Sequence, residues 1–381
     1  MAMMTLNASP ETKSPSGEIH APNGIRFNKS PDGLTRSIIS ELMTERDEKK
    51  KLRNKFPFGS DEYTLYDMQQ NVLKVIMNTY YGVSGFSRFR LYDRDIGAAV
   101  TSVGRAIIQH TKEVITKHGY EVIYGDTDSC FVQIPAISLE ETMKIARGIE
   151  EELNASYQAF SKDTLGADTN YFSIKFEKIY RKFFQGGAKK RYAGHLIWKE
   201  GQDVDKIDIT GFEMKRSDSA QITREAQERV LEMILKGNGK ADVEKYLPEV
   251  LNMYRAGRSP LEKAGIPSGI NKSFADYVHL DAHGRGAIYS NQHLETDFKR
   301  GSKPKRLYIK RSLQPDKYPD TDVLCFEYPD QIPEGAFEID WETMLEKTLQ
   351  APLNRIFDAL GWDWDEFDPT KSKKTTLDMF F

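Results

Sequence analysis

Two carboxylates one residue apart are the first feature of this sequence with chemical weight. In Tyr124-Gly125-Asp126-Thr127-Asp128-Ser129, the acids Asp126 and Asp128 bracket a single threonine. Largely apolar residues precede the pair (Tyr120–Tyr124) and follow it (Ser129–Ile134), so the pattern predicts a β-hairpin with its turn at Gly125–Asp128. Like charges that close repel each other, and a divalent cation offsets that cost. Carboxylate oxygens are the hard ligands magnesium takes. Two such ions serve phosphoryl transfer, one activating the attacking hydroxyl and the other holding the leaving group. The plainer reading of the same residues is an Asx turn without metal.

A second set lies upstream. Lys74, Asn78 and Tyr81 stand at i, i+4 and i+7, one face of a helix. A lysine there can meet a nucleotide triphosphate, and a ring followed by Gly82 can lie against a base pair. Arg46 and Lys50, also i and i+4, offer further cations from a preceding helix; with Glu45 and Glu48 beside them, a solvated face is the alternative. The formal net charge of −3 does not advertise a nucleic-acid binder. Its distribution says more. Lys175–Tyr192 holds seven Lys/Arg and one acid, and Lys299–Arg311 holds seven and none.

The elements that must position these groups follow from pattern. Residues 1–32, rich in Ser, Pro, Gly and Asn, read as loop or extended chain. Helical spacing covers Leu34 to about Arg53, Pro57 and Gly59 turn the chain, and a second helix runs from Asp61 to Tyr80 with Ser60 as N-cap. The two form an antiparallel hairpin. Further helices are expected over Ile96–Lys117 and Leu139–Phe160, strand-like alternation over Tyr171–Trp198, and helical spacing after Ala220. The change near 215–220 is the best domain boundary. A length of 381 residues allows two or three domains. With 39% hydrophobic and 29% charged residues, the composition is that of an ordinary soluble protein. No apolar run approaches the roughly 20 residues that span a bilayer, and no apolar signal core follows Met1–Met4. Cys130 and Cys325 lack CxxC spacing, which leaves no zinc ribbon or disulfide framework and points to a reducing, intracellular compartment.

Taken together, these motifs resemble family B DNA polymerases. Lys74, Asn78, Tyr81 and Gly82 match K-x-x-x-N-S-x-Y-G, with Thr79 in the serine's place, and YGDTDS matches the third polymerase motif. Lys189-Lys190-Arg191-Tyr192 matches the KKRY element. Gly211, Glu213, Arg216 and Asp218 match G-x-E-x-x-R-x-D, and His283–Ala287 followed by Asn291 resembles a thumb segment of phage-like and archaeal-like members. The resemblance covers nearly the whole chain. It implies an α+β right-hand fold: an antiparallel palm sheet, helical-hairpin fingers and a mostly helical thumb. On it the chain divides into an N-terminal segment (1–32), fingers (33–82), palm (83–216), thumb (217–368) and tail (369–381). It further implies two magnesium ions, with Asp128 a direct ligand, Asp126 beside them and Glu177 near, a structural salt bridge being the equal alternative for Glu177. Arg46, Lys50 and Lys74 would grip the incoming dNTP, Asn78, Tyr81 and Gly82 would face the nascent pair, and Lys189, Lys190, Arg191 and Tyr192 would hold primer–template DNA.

The two ends carry the remaining resemblances. Lys374–Phe381 resembles a sliding-clamp peptide in which Leu377, Phe380 and Phe381 share one side of a helical turn, with Lys374 where glutamine is usual; an internal docking peptide is the alternative. Asn7-Ala8-Ser9-Pro10-Glu11-Thr12 resembles the stretch that follows the first polymerase motif, D-x-x-S-L-Y-P. That motif, which bears the other metal-binding aspartate and the residue that screens out ribose, does not occur among the 381 residues, and neither does an exonuclease domain. The expectation is therefore a chain inactive or nearly so alone, completed by a partner polypeptide carrying both. The alternative is a non-catalytic DNA- and clamp-binding accessory subunit. A reverse transcriptase shares palm chemistry but usually has adjacent aspartates in its turn.

Overall fold

In the computed structural model, residues 1–135 and 137–371 are described. By contacts they form two units, Met1–Phe176 and Glu177–Phe381. The shift to helical spacing after Ala220 falls inside the second.

The first unit is α1 (Ala2–Thr5), β1 (Ile19–His20), β2 (Arg26–Phe27), α2 (Leu34–Arg53), α3 (Asp61–Ser84), α4 (Arg94–Lys117), β3 (Glu121–Asp126), β4 (Ser129–Gln133) and α5 (Leu139–Leu165). Residues 1–32 are less open than their composition predicts. Met3, Met4, Leu6, Ala8 and Phe27 are buried there, packed with Ile39 of α2, Ile96 and Val103 of α4, and Tyr157 of α5. Three of the segment's polar side chains serve a neighbouring helix. Helix α2 begins after Gly33, which has no side chain to cap it. Asn7 Oδ1 accepts from the Gly33 N–H at 2.8 Å, Glu11 Oε1 from Leu34 at 2.6 Å and Ser9 Oγ from Thr35 at 3.4 Å. The Asn-x-Ser-Pro-Glu-Thr stretch is thus a remote N-cap, meeting orphan donors that every helix start leaves.

Ser60 caps α3 as its position predicts, accepting from Tyr63 N–H at 3.1 Å, and the helix continues past Tyr80 to Ser84. Helices α2 and α3 pair through Arg53–Asp67 at 2.8 Å, Arg46–Gln70 at 3.2 Å and the Arg53 guanidinium over the Tyr63 ring. The acidic hairpin rests on helices rather than on a larger sheet. Val122, Cys130 and Val132 pack against Val114 and Ile115 of α4 and Leu153 of α5. A Ser138–Glu141 capping box starts α5.

The second unit opens with an antiparallel sheet of β5 (Lys178–Gln185), β6 (Tyr192–Lys199) and β7 (Gln202–Thr210) in that order. The alternation expected over Tyr171–Trp198 is realised from Lys178 onward; residues 171–177 form no strand. A short turn of helix (Glu213–Lys215) leads to α6 (Gln221–Lys236), α7 (Lys240–Arg255), α8 (Leu261–Ala264), β8 (Ile266–Pro267) and α9 (Ala282–His293). Then come β9 (Lys305–Ser312), β10 (Val323–Phe326), β11 (Phe337–Ile339), α10 (Trp341–Leu345), a π-turn (Glu346–Gln350) and α11 (Ala351–Leu360). Strand β9 pairs antiparallel with β8, β10 and β11. The core gathers Val230, Leu247, Tyr254, Phe326, Leu353 and Phe357, all fully buried. Each such side chain contributes on the order of 2 kcal/mol by leaving water. Among the described residues no helix is long and apolar enough to cross a membrane.

Candidate active site

Strand β3 runs two residues further than its apolar pattern predicts, so that Asp126 is its last residue, paired with Ser129, and the loop is Thr127-Asp128 alone. Two-residue hairpin loops favour positive φ, because the mirror-image turns match the strands' twist. Thr127 takes φ +51°, which a β-branched residue rarely adopts. The tip is tied locally: Asp128 N–H donates to Asp126 O at 2.6 Å and Thr127 Oγ1 to Asp126 Oδ1 at 2.9 Å. Asp126 is half-buried, while Asp128 is exposed beyond it. The turn therefore presents one braced carboxylate and one projecting carboxylate, both hard oxygen donors. Among the described residues no group of three His, Cys, Asp or Glu forms a closed metal cluster. The pair suits a divalent cation that takes its remaining oxygens from elsewhere.

Helix α3 has three different sides. Gln70 and Leu73 are buried, Gln70 accepting from Arg46 of α2. Lys74, Asn78 and Tyr81 are exposed together, and Lys74 has no ion pair among the described residues. On the third side Leu65, Met68, Val72, Val75 and Ile76 are exposed as well. At Gly82, inside the helix, nothing among the described residues beyond its chain neighbours and its own helix backbone lies within 4 Å of where a Cβ would stand. Glycine costs a helix interior about 1 kcal/mol, and no neighbour among the described residues requires one there. The two cations of α2 are partly committed. Arg46 Nε donates to Gln70, and Lys50 lies 3.7 Å from Asp47.

The basic element of the second unit is built by a tight loop between β5 and β6. Gly186 N–H donates to Arg191 O at 3.0 Å and Arg191 N–H to Ala188 O at 3.3 Å. Lys190 has φ +64°, and Lys189 and Lys190 are exposed. Tyr192 starts β6 opposite Gln185, its ring 5.5 Å from that of Phe183. Gly211, at φ +76°, lies so close to this loop that a Cβ would strike the Lys190 carbonyl. Glu177 is exposed at the start of the unit, its carbonyl accepting from Glu200 N–H at 3.0 Å.

Two clusters here bring together residues that the motifs do not pair, although Arg191 and Glu213 each belong to one. In the sheet, Asp208 accepts from Lys178 Nζ at 2.7 Å and from the Tyr180 hydroxyl at 2.6 Å. Burial, and then the Asp208 carboxylate, raise the Tyr180 phenol well above its ordinary value. Burial also opposes ionisation of Asp208, but Lys178 and Tyr180 outweigh it and hold that carboxyl below its usual range. The second cluster centres on Glu213, which faces both Arg191 and Arg355. Strand alternation could have placed Lys178, Tyr180 and Asp208 on one face; nothing local in the sequence pairs Glu213 with Arg355. Leu377, Phe380 and Phe381 lie outside the described residues.

Comparison with known proteins completes the picture. The family model for DNA polymerase family B matches residues 8–312. DNA polymerase 2 of Aeropyrum pernix is 32% identical over 294 residues, covering 75% of this chain and 33% of the relative. The DNA polymerase delta catalytic subunit of Glycine max is 29% identical over 369 residues, 93% of this chain and 32% of the relative. The chain thus spans about a third of these relatives' length. Among solved structures, the family B DNA polymerase of the hyperthermophilic archaeon Pyrobaculum calidifontis superposes with a TM-score of 0.65 at 27% identity, covering 95% of this chain and 44% of that one.

Proposed function

The chain belongs to DNA polymerase family B, and from that membership we propose that it performs template-directed DNA synthesis, joining a dNTP to a primer 3′-hydroxyl. The observation that carries this reading is the strained acidic turn, in which Asp126 is braced and Asp128 projects. Two magnesium ions would be held by Asp128 and Asp126. When bound they supply charge neutralisation at the triphosphate and activation of the attacking hydroxyl. Lys74 meets the triphosphate as a point charge, and Arg46 and Lys50 add to it from α2. Tyr81 lies against the nascent base pair, with Asn78 beside it, and the space left by Gly82 admits the pair's edge. Lys189, Lys190, Arg191 and Tyr192 hold primer–template DNA through phosphates, which carry no sequence information and so suit an enzyme that copies any template.

One carboxylate segment cannot fix both ions, so a further aspartate comes from a polypeptide segment outside residues 1–381, along with the exonuclease region. Mixing this chain with a fragment bearing the first polymerase motif should yield primer extension that neither gives alone; no gain over the separate chains would sink the proposal. The terminal Leu377, Phe380 and Phe381 bind a sliding clamp, and removing residues 374–381 should abolish clamp-stimulated synthesis while leaving unstimulated extension intact.

A further inference from the structure

We propose that Arg355, on α11, pairs with Arg191 of the β5–β6 loop to form a binding site for one DNA backbone phosphate, with buried Glu213 as its internal counter-charge. The inference rests on the polymerase reading, and on a count of charges and donors in the second unit. Glu213 is only 6% exposed, so water cannot serve it. Its Oε2 accepts from Gln227 Nε2 at 2.8 Å, and Gln227 is itself fully buried and tied to Pro352 O at 3.0 Å and Met214 N–H at 3.1 Å. The carboxylate is thereby fixed, and its Oε1 faces two guanidiniums, Arg355 in direct contact and Arg191 at 3.7 Å.

Two positive charges meet one negative charge. Each guanidinium carries five N–H donors in a planar fork, yet among the described residues neither has another charged partner. Burial and the neighbouring Arg191 charge both work against the Arg355 cation, lowering its pKa. A second anion removes that imbalance. Both side chains keep an outward side, Arg355 being 44% and Arg191 25% exposed. The exposed Lys189 and Lys190 continue the same loop, so a polyanion rather than a small free anion matches the surface. A phosphodiester offers two oxygens, which the fork of an arginine engages better than a lysine does.

Salt-dependent binding of primer–template DNA to the full chain tests this. Each phosphate neutralised contributes about 0.9 to the slope of log affinity against log salt on duplex DNA. Arg355→Gln should lower the slope by about that amount and weaken binding, whereas Arg355→Lys should retain the slope. A primer with one neutral methylphosphonate linkage, scanned along the strand, should show in the wild type a loss of affinity at one position that disappears in Arg355→Gln, while the losses at the other phosphate contacts remain in both. An unchanged slope in Arg355→Gln, or the same methylphosphonate penalty at every position in both proteins, overturns the site and leaves Arg355 a structural partner of Glu213. Should Arg355→Gln fail to fold, Glu213→Gln is compared with the double variant that also carries Arg355→Gln. A shallower slope in the double variant supports the site, and an equal slope overturns it. Wild-type protein with no affinity for primer–template at all would overturn the polymerase reading itself, and this inference with it.

Discussion

Asp128 and Asp126 sit one residue apart yet are held differently, and their replacement should differ accordingly. Asp128 is exposed, with its backbone N–H bound to the turn. In the completed enzyme, Asp128→Asn should cut the rate of primer extension by at least about a hundredfold while primer–template binding persists; filter binding and extension on one preparation check both. Lys74 stands clear on α3, so Lys74→Ala should act chiefly through the nucleotide. Losing one contact to a charged group costs roughly 1.5–3 kcal/mol, or about ten- to a hundredfold in kcat/KM for dNTP at unchanged DNA affinity. These residues were legible in the sequence because their motifs are local: a hexapeptide, and one face of one helix. Arg355 was not legible, because the carboxylate it meets lies on a distant turn and only the folded second unit brings the two together.

At the scale of elements, the informative contacts are those between a motif and a helix end. Asn7, Ser9 and Glu11 cap α2, which carries Arg46 and Lys50. Asn7→Ala should cost about 1 kcal/mol or somewhat more, seen as a lower unfolding temperature and faster amide exchange in the first turn of α2. Gly211→Ala should be worse than an ordinary loop substitution. It combines a positive φ with a collision at the Lys190 carbonyl, and the basic loop must move to relieve it; weaker DNA binding together with lowered stability is the expected result. The helices themselves were largely readable, since apolar spacing and caps such as Ser60 are written locally. What composition concealed was residues 1–32. Serine, asparagine and glycine read as open loop because their commonest use is a solvated turn, whereas here the polar groups answer a helix that starts without a cap of its own.

For the molecule as a whole, the second unit is closed near its end by Arg255. Its guanidinium donates to both oxygens of Asp368 at 2.8 Å and to Glu342 at 2.8 Å. Asp368 is almost fully buried, and the Arg255 hydrogen bonds hold its carboxyl far below the ordinary carboxylate range. A depressed carboxyl contributes stability that is present above its unfolded value, near 3.9, and is lost as pH falls from there toward the folded value. Asp368→Asn should therefore destabilise the chain by about 3 kcal/mol at neutral pH, with the gap to wild type narrowing below about pH 4 in a series of thermal melts. Helix α3 sets a different kind of limit. Its three sides are the one buried toward α2, the exposed Lys74–Asn78–Tyr81 face proposed to meet the nucleotide, and the exposed apolar stripe, and one extra residue turns everything after it by about 100°. A single-codon insertion between Asp61 and Lys74 would swing the lysine out of register with all three, whereas the loop at residues 54–60 can lengthen freely. Natural length variation should accordingly collect at that tip and spare the helix.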